Sequence, residues 1–140
     1  MAQNTSPIFI LTPDTTTVVV DASSSLRDGS GSLFTLFAAG PSGSRVDSVT
    51  WTSAQSSSYA ASSAMVGRVF ITDTAGLNPR LLQEVAIATV TPSATVIGAQ
   101  AIINFTNGLL MNSGSLLRVN QSVYAGVQDR MAVVARGGDY

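Results

Sequence analysis

Hydrophobic and polar residues alternate along most of this chain with the two-residue period of a half-buried strand. Residues 15–20 form a β-branched run, Thr-Thr-Thr-Val-Val-Val, and such side chains pack well on a pleated surface. Residues 15–21, 33–38 and 45–53 are read as the first three strands. In the third, Val49 and Trp51 share one face while Val46 is out of phase, which predicts a bulge near the start of that strand. Residues 65–73, 80–88, 95–105, 116–123 and 130–136 supply five more strands. Clusters such as Asp28-Gly29-Ser30-Gly31, Gly40-Pro41-Ser42-Gly43, Asn78-Pro79, Asn107-Gly108 and Asn112-Ser113-Gly114 punctuate them as turns. Asn78 as a cap and Pro79 as a first residue could start a helix over 77–88. The apolar positions there fit a helical period only loosely, so a strand is preferred. Residues 54–64, almost pure Gln, Ser, Ala and Tyr, read as a long loop or a flat edge strand.

Eight strands, Gly/Pro/Asn turns and no repeat predict an all-β chain, a single-domain antiparallel β-sandwich most simply of jelly-roll type. An immunoglobulin-type sandwich is second and lacks the Cys…Trp…Cys pattern. Residues 1–16 read as an extended N-terminal arm and 17–140 as the sandwich. In the arm, Pro7 and Pro13 favour extended backbone. The apolar quartet Ile8, Phe9, Ile10 and Leu11 needs a surface to cover it, either its own domain or a neighbouring subunit.

Composition changes this picture mainly by what is missing. The 140 residues contain no lysine, histidine or cysteine, and only 11% are charged. The usual general base, the strongest nucleophile and the Schiff-base amine are therefore absent. Ser-His-Asp and Ser-Lys arrangements cannot form within the chain. The eight acids stand singly at predicted strand ends and turns, where Asp serves local backbone hydrogen bonding. A glycosidase-type pair of carboxylates has no support from spacing. Asp28 to Ser32 lacks the further acids of a calcium loop. No enzyme activity, cofactor or metal is expected.

With seven arginines against eight acids, net charge −1, there is no basic stripe for nucleic acid. The apolar region 85–105 is interrupted too often for a membrane helix. A weakly charged surface of Ser, Thr and Ala is readily desolvated and suits extensive protein contacts. Arginine used to the exclusion of lysine suits planar, bidentate pairs across subunit boundaries. Arg45, Arg68, Arg118 and Arg136, in or beside predicted strands, join the arm quartet as candidate interface residues. Trp51 and most other aromatics read as core, with Trp51 as a sugar-stacking platform the lesser alternative.

From Gly43 onward the chain resembles a family of small tailed-bacteriophage virion proteins. The resemblance rests on Gly43-Ser44-Arg45-Val46-Asp47, Met65-Val66-Gly67-Arg68-Val69-Phe70-Ile71-Thr72-Asp73 and Arg80-Leu81-Leu82-Gln83-Glu84-Val85. It continues in Val90-Thr91-Pro92-Ser93-Ala94-Thr95-Val96 and in Val134-Ala135-Arg136-Gly137-Gly138-Asp139-Tyr140. These cover about the last two-thirds of the chain and include no catalytic signature. The serine-rich stretch and the arm depart from the pattern. The resemblance implies a capsid cement or decoration protein, trimeric, bound to the major capsid protein on the outer surface of the virion. The start of the chain lacks the basic region of a signal peptide, so synthesis in the host cytoplasm is expected. The alternatives are a phage tail or fibre knob with receptor or carbohydrate binding, and, from another class, a carbohydrate-binding module or a carboxylate-dependent hydrolase.

Overall fold

A computed structural model of the chain describes residues 10–55 and 60–140. Eight strands form, β1 (Thr12–Val20), β2 (Phe34–Ala38), β3 (Ser44–Ser53), β4 (Met65–Ile71), β5 (Arg80–Ile87), β6 (Gln100–Met111), β7 (Leu116–Gln121) and β8 (Met131–Asp139). They make two four-stranded sheets, ordered β1-β8-β3-β6 and β2-β7-β4-β5. All pairings are antiparallel, so the expected all-β sandwich is what the chain adopts. The stretch 80–87 is a strand, as its loose helical period required.

The second half of the chain retraces the first. β1 pairs with β8, β2 with β7, β3 with β6 and β4 with β5. Further pairing of β3 with β8 and of β4 with β7 rolls this doubled ribbon into two layers. Consecutive strands therefore change sheet, except at the β4–β5 hairpin.

The core lies between the layers. Val46, Val49, Trp51, Val69, Leu117, Val119, Met131 and Val133 are fully buried there. Val46 and Val49 both face inward because the register of β3 shifts between Val46 and Ser48, the bulge demanded by their phase. Burying such side chains contributes about 1.5–3 kcal/mol each relative to exposure. Trp51 is sealed in this core, so it offers no platform to a sugar.

Three boundaries differ from expectation for physical reasons. β1 begins at Thr12 and pairs Thr12–Thr16 with β8, so residues 12–16 belong to the sheet. Pro13 is tolerated there because β1 is an edge strand. β6 starts at Gln100, because Ser93 Oγ accepts from Thr95 N (3.2 Å) and Val96 N (3.1 Å) and holds that segment in a turn. Its other end runs through Asn107-Gly108, where a hairpin turn was expected. Both residues have left-handed φ, 64° and 77°. They sit in an irregularity where the pairing steps from Ser48↔Asn104 to Val46↔Leu109. The left-handed preference of Asn-Gly thus makes a bulge inside a long strand.

Candidate functional site

The chain contains no histidine, lysine or cysteine, and its candidate features begin with its surfaces. The two sheets present very different outer faces. On β2-β7-β4-β5, Arg68, Phe70 and Asn120 point away from the core, since their neighbours Val69, Leu117 and Val119 point into it. All three are nevertheless buried, and the β1–β2 connection lies over Arg68. Ser24 N donates to Gln121 O (2.9 Å). Arg68 Nη1 donates to Ser24 O (2.8 Å), and Arg68 Nε to Glu84 Oε1 (2.7 Å). Arg27, within the connection, reaches the same Glu84 oxygen at 2.8 Å. The hydrogen bonds from Arg27 first, then Arg68, hold the Glu84 carboxyl below its ordinary value. The chain's own strap thus covers the Arg68 part of this face.

The outer face of β1-β8-β3-β6 has no such cover among the described residues. Register places three ranks of four side chains across it. They are Val19-Ala132-Thr52-Gln100, Thr17-Val134-Thr50-Ile102 and Thr15-Arg136-Ser48-Asn104. Eleven of these twelve positions are uncharged, and Val19 and Ile102 are about half exposed, 45% and 52%. A monomer usually spreads both signs of charge over such a surface. This one is left cheap to desolvate.

The ends of the sandwich differ as well. One end gathers residues 54–55, 60–64, 88–99 and 122–130, and buried polar groups tie these connections together. Ser62 N donates to Val90 O (2.9 Å), Val90 N to Ser62 Oγ (3.1 Å) and Thr89 Oγ1 to Ser62 O (2.6 Å). The Asp129 carboxylate is fully buried. It accepts from Ser63 N (2.6 Å), Ser63 Oγ (3.0 Å) and Ala125 N (2.8 Å). Three donors on one carboxylate make it a structural clasp. Asp129 and Arg130 are the only charged residues in those three connections. At the opposite end, Asp73 accepts from Leu77 N (2.9 Å), Asn78 Nδ2 (2.7 Å) and Ala75 N (3.0 Å). The first two of these lower its pKa most.

The residues expected at an interface are scattered by the fold. Ile8 and Phe9 lie outside the described residues. Ile10 is half-buried over Gly138, and Leu11 is exposed while its N–H donates to Asp139 O (2.9 Å). Arg45 pairs with Asp47 at 2.7 Å on a solvated surface, a pair worth little to stability. Arg118 Nε donates to Thr35 Oγ1 (3.3 Å), and Arg136 is exposed on the open face. Arg68 departs from the interface reading. It is 4% exposed and its guanidinium is engaged within the chain. Sequence reasoning missed Thr17, Thr50, Ile102 and Val134 as one surface, because register decides their company. It also missed Val96 and Ile97, read as the start of a strand. A signal was present, since no charged residue occurs between Glu84 and Arg118.

Two shallow depressions bring few reactive groups together. One, about 360 Å³, is lined by Asp28, Gly29, Ser30, Asn78, Pro79 and Arg80. The other, about 320 Å³, includes Asp73, Arg80, Leu110 and Asn112. Each contains a single carboxylate, whereas hydrolysis of a glycosidic bond uses a pair. No helix among the described residues is long and apolar enough to cross a membrane.

No family model matches the chain, and no curated protein matches it. Three chains of solved structures match. Two of these belong to the structures of infectious bursal disease virus, strains Gt and Gx. Both are 16% identical, with TM-scores of 0.29 and 0.28, over 98% of this chain and 34% of the other. The chain thus spans about a third of the length of the chains it matches. A likeness this weak carries no argument about function.

Proposed function

We propose that this chain is a structural protein of a virus particle, and specifically a cement or decoration protein on the outer surface of a phage capsid. It works by adhesion to the major capsid protein and to copies of itself, as a trimer. It is not an enzyme and needs no cofactor. The observation that carries this reading is the nearly uncharged outer face of β1-β8-β3-β6, uncovered among the described residues. The resemblance of residues 43–140 to small phage virion proteins supports the same reading. The retraced pairing of the two chain halves supports the jelly-roll subtype.

The size of that face bears on the mechanism. Four strands at about 4.8 Å and three ranks at about 6.8 Å cover roughly 400 Å². A stable independent pair buries about 800 Å² per partner. One such contact is too small to hold alone, and several per copy in a repeating shell are sufficient. Symmetry multiplies a weak patch into resistance against outward pressure.

Counting copies in purified particles tests the proposal. Hundreds of copies per particle, and shells that rupture at lower temperature without the chain, are expected. A few to tens of copies would move the chain to a tail or fibre. Turnover of a glycan abolished by an Asp or Glu substitution would replace adhesion with catalysis. A truncation test of the arm should stop before Thr12, because residues 12–16 pair with β8.

A further inference from the structure

The four edge strands of the sandwich are guarded unequally. β1 carries Pro13 and Asp14, β2 is five residues long, and β5 carries Arg80 and Glu84. Such devices keep an open row of backbone groups from pairing with another chain. β6 has twelve residues with neither a charge nor a proline, and its irregularity leaves residues 100–104 in regular pairing. The direction of its backbone groups follows from one bond. Ser53 N donates to Ala99 O (2.8 Å), and the same register sets Trp51 against Ala101 and Val49 against Ile103. Hydrogen-bonded pairs alternate along an antiparallel ladder, so Ala101 and Ile103 bond to β3. Gln100, Ile102 and Asn104 therefore turn their N–H and C=O groups outward, where no described residue bonds them.

We propose that the 100–104 edge of β6 joins a second copy of this chain, the two strands running antiparallel about a two-fold axis through Ile102. A row of unpaired peptide groups is matched by an extended strand. The register that engages all three outward residues sets Ile102 against the partner's Ile102 and Gln100 against the partner's Asn104. Each facing pair exchanges two backbone bonds, and the carboxamides of Gln100 and the partner's Asn104 match donor to acceptor. Neither strand brings a charge to the seam. Arg136, the one charge among the twelve positions of each outer face, lies two strands away. The two arginines thus stay at least about 24 Å apart, beyond the screening length of about 8 Å. A two-fold contact closes on itself and does not grow into a fibre. The inference rests on the adhesion reading and names one of its contacts between copies. Joining two outer faces in one sheet doubles about 400 Å² to about 800 Å², the area that a stable partner covers. Around a trimer, the same contact links one trimer to the next.

The chain contains no cysteine, so a single introduced thiol reports a single contact. Ile102→Cys sets two thiols face to face across the axis, where paired Cα atoms lie about 5.5 Å apart, within reach of a disulfide. Val19→Cys, half-exposed on the same outer face but on the far edge strand β1, is the matched control. Both full-length variants are oxidised in solution and after re-binding to purified particles stripped of this protein, and melting verifies that each folds. Ile102→Cys is expected to couple at least about tenfold faster than Val19→Cys. In the parent, amides of residues 100, 102 and 104 should gain exchange protection as concentration rises, and Ile102→Lys, which opposes two like charges on the axis, should abolish that gain. Equal coupling at the two positions would overturn the proposal and, with particle binding intact, leave the adhesion reading standing. Protection of these amides in the dilute monomer would assign the edge to the chain's own residues and overturn it as well. So would protection that survives Ile102→Lys. Failure of the parent to bind particles, with Ile102→Cys still coupling preferentially, would keep the contact and sink the capsid reading instead.

Discussion

Replacing Arg68 by alanine tests whether the β1–β2 strap is held on the second sheet by the guanidinium beneath it. Arg68 is 4% exposed and makes two charge-assisted hydrogen bonds, to Glu84 Oε1 at 2.7 Å and to Ser24 O at 2.8 Å. Breaking a buried ion pair costs about 3–5 kcal/mol. The Glu84 side chain is 32% exposed and retains Arg27 as a partner, so part of that penalty is relieved by water. The remaining loss is the unpaired Ser24 carbonyl and the void left by the side chain, together about 2–3 kcal/mol. With an unfolding entropy of about 0.3 kcal/mol/K for a chain this long, that lowers Tm by roughly 7–10 °C. Urea titration measures the stability, and amide exchange at Ser24, whose N–H donates to Gln121 O, reports the strap locally. Arg27→Ala, which removes only the solvated member of the trio, should leave both readouts nearly unchanged. A loss below about 0.5 kcal/mol for Arg68→Ala, with Ser24 still protected, would refute the strap argument.

Two further outcomes follow from the geometry. An added Cβ at Gly67 would lie 2.8 Å from Trp51 Cε2. Gly67→Ala should therefore destabilise by about 1–3 kcal/mol through overpacking, and the shift in Trp51 fluorescence reports the disturbed ring. Glu84, Asp73 and Asp28 all have carboxyl pKa values below the ordinary range, held there mainly by Arg27, by Leu77 N–H and by the Ser30 hydroxyl respectively. The unfolded chain binds more protons than the folded one between the two sets of values, so stability rises with pH there. Their contribution is complete above the usual carboxylate range of about 4 and is lost as pH falls through the folded values. Melting from pH 2 to pH 6 should show this slope, and Asp73→Asn should flatten it; an unchanged slope would show that the Asp73 turn does not contribute.

The class of fold was legible in the chain because a two-residue period and a short-range turn code are local properties. Thr15 to Val20, Met65 to Ile71 and Met131 to Ala135 announce strands whatever they pair with, and the phase of Val46 against Val49 even located a bulge. The lack of His, Lys and Cys likewise set the chemistry available before any folding. Asn107-Gly108 marks the limit of such reading. Its left-handed preference is intrinsic, but only the pairing partner β3 determines whether it turns the chain back or bulges a strand. Arg68 and Arg136 make the same point about function. Both are arginines in strands, yet one lies under the chain's own strap and the other is exposed on a sheet that no other described residue covers. Which face is covered depends on where a connection far away in sequence comes to rest. Tertiary structure alone decided that, because cover is supplied by residues that share no local pattern with what they cover.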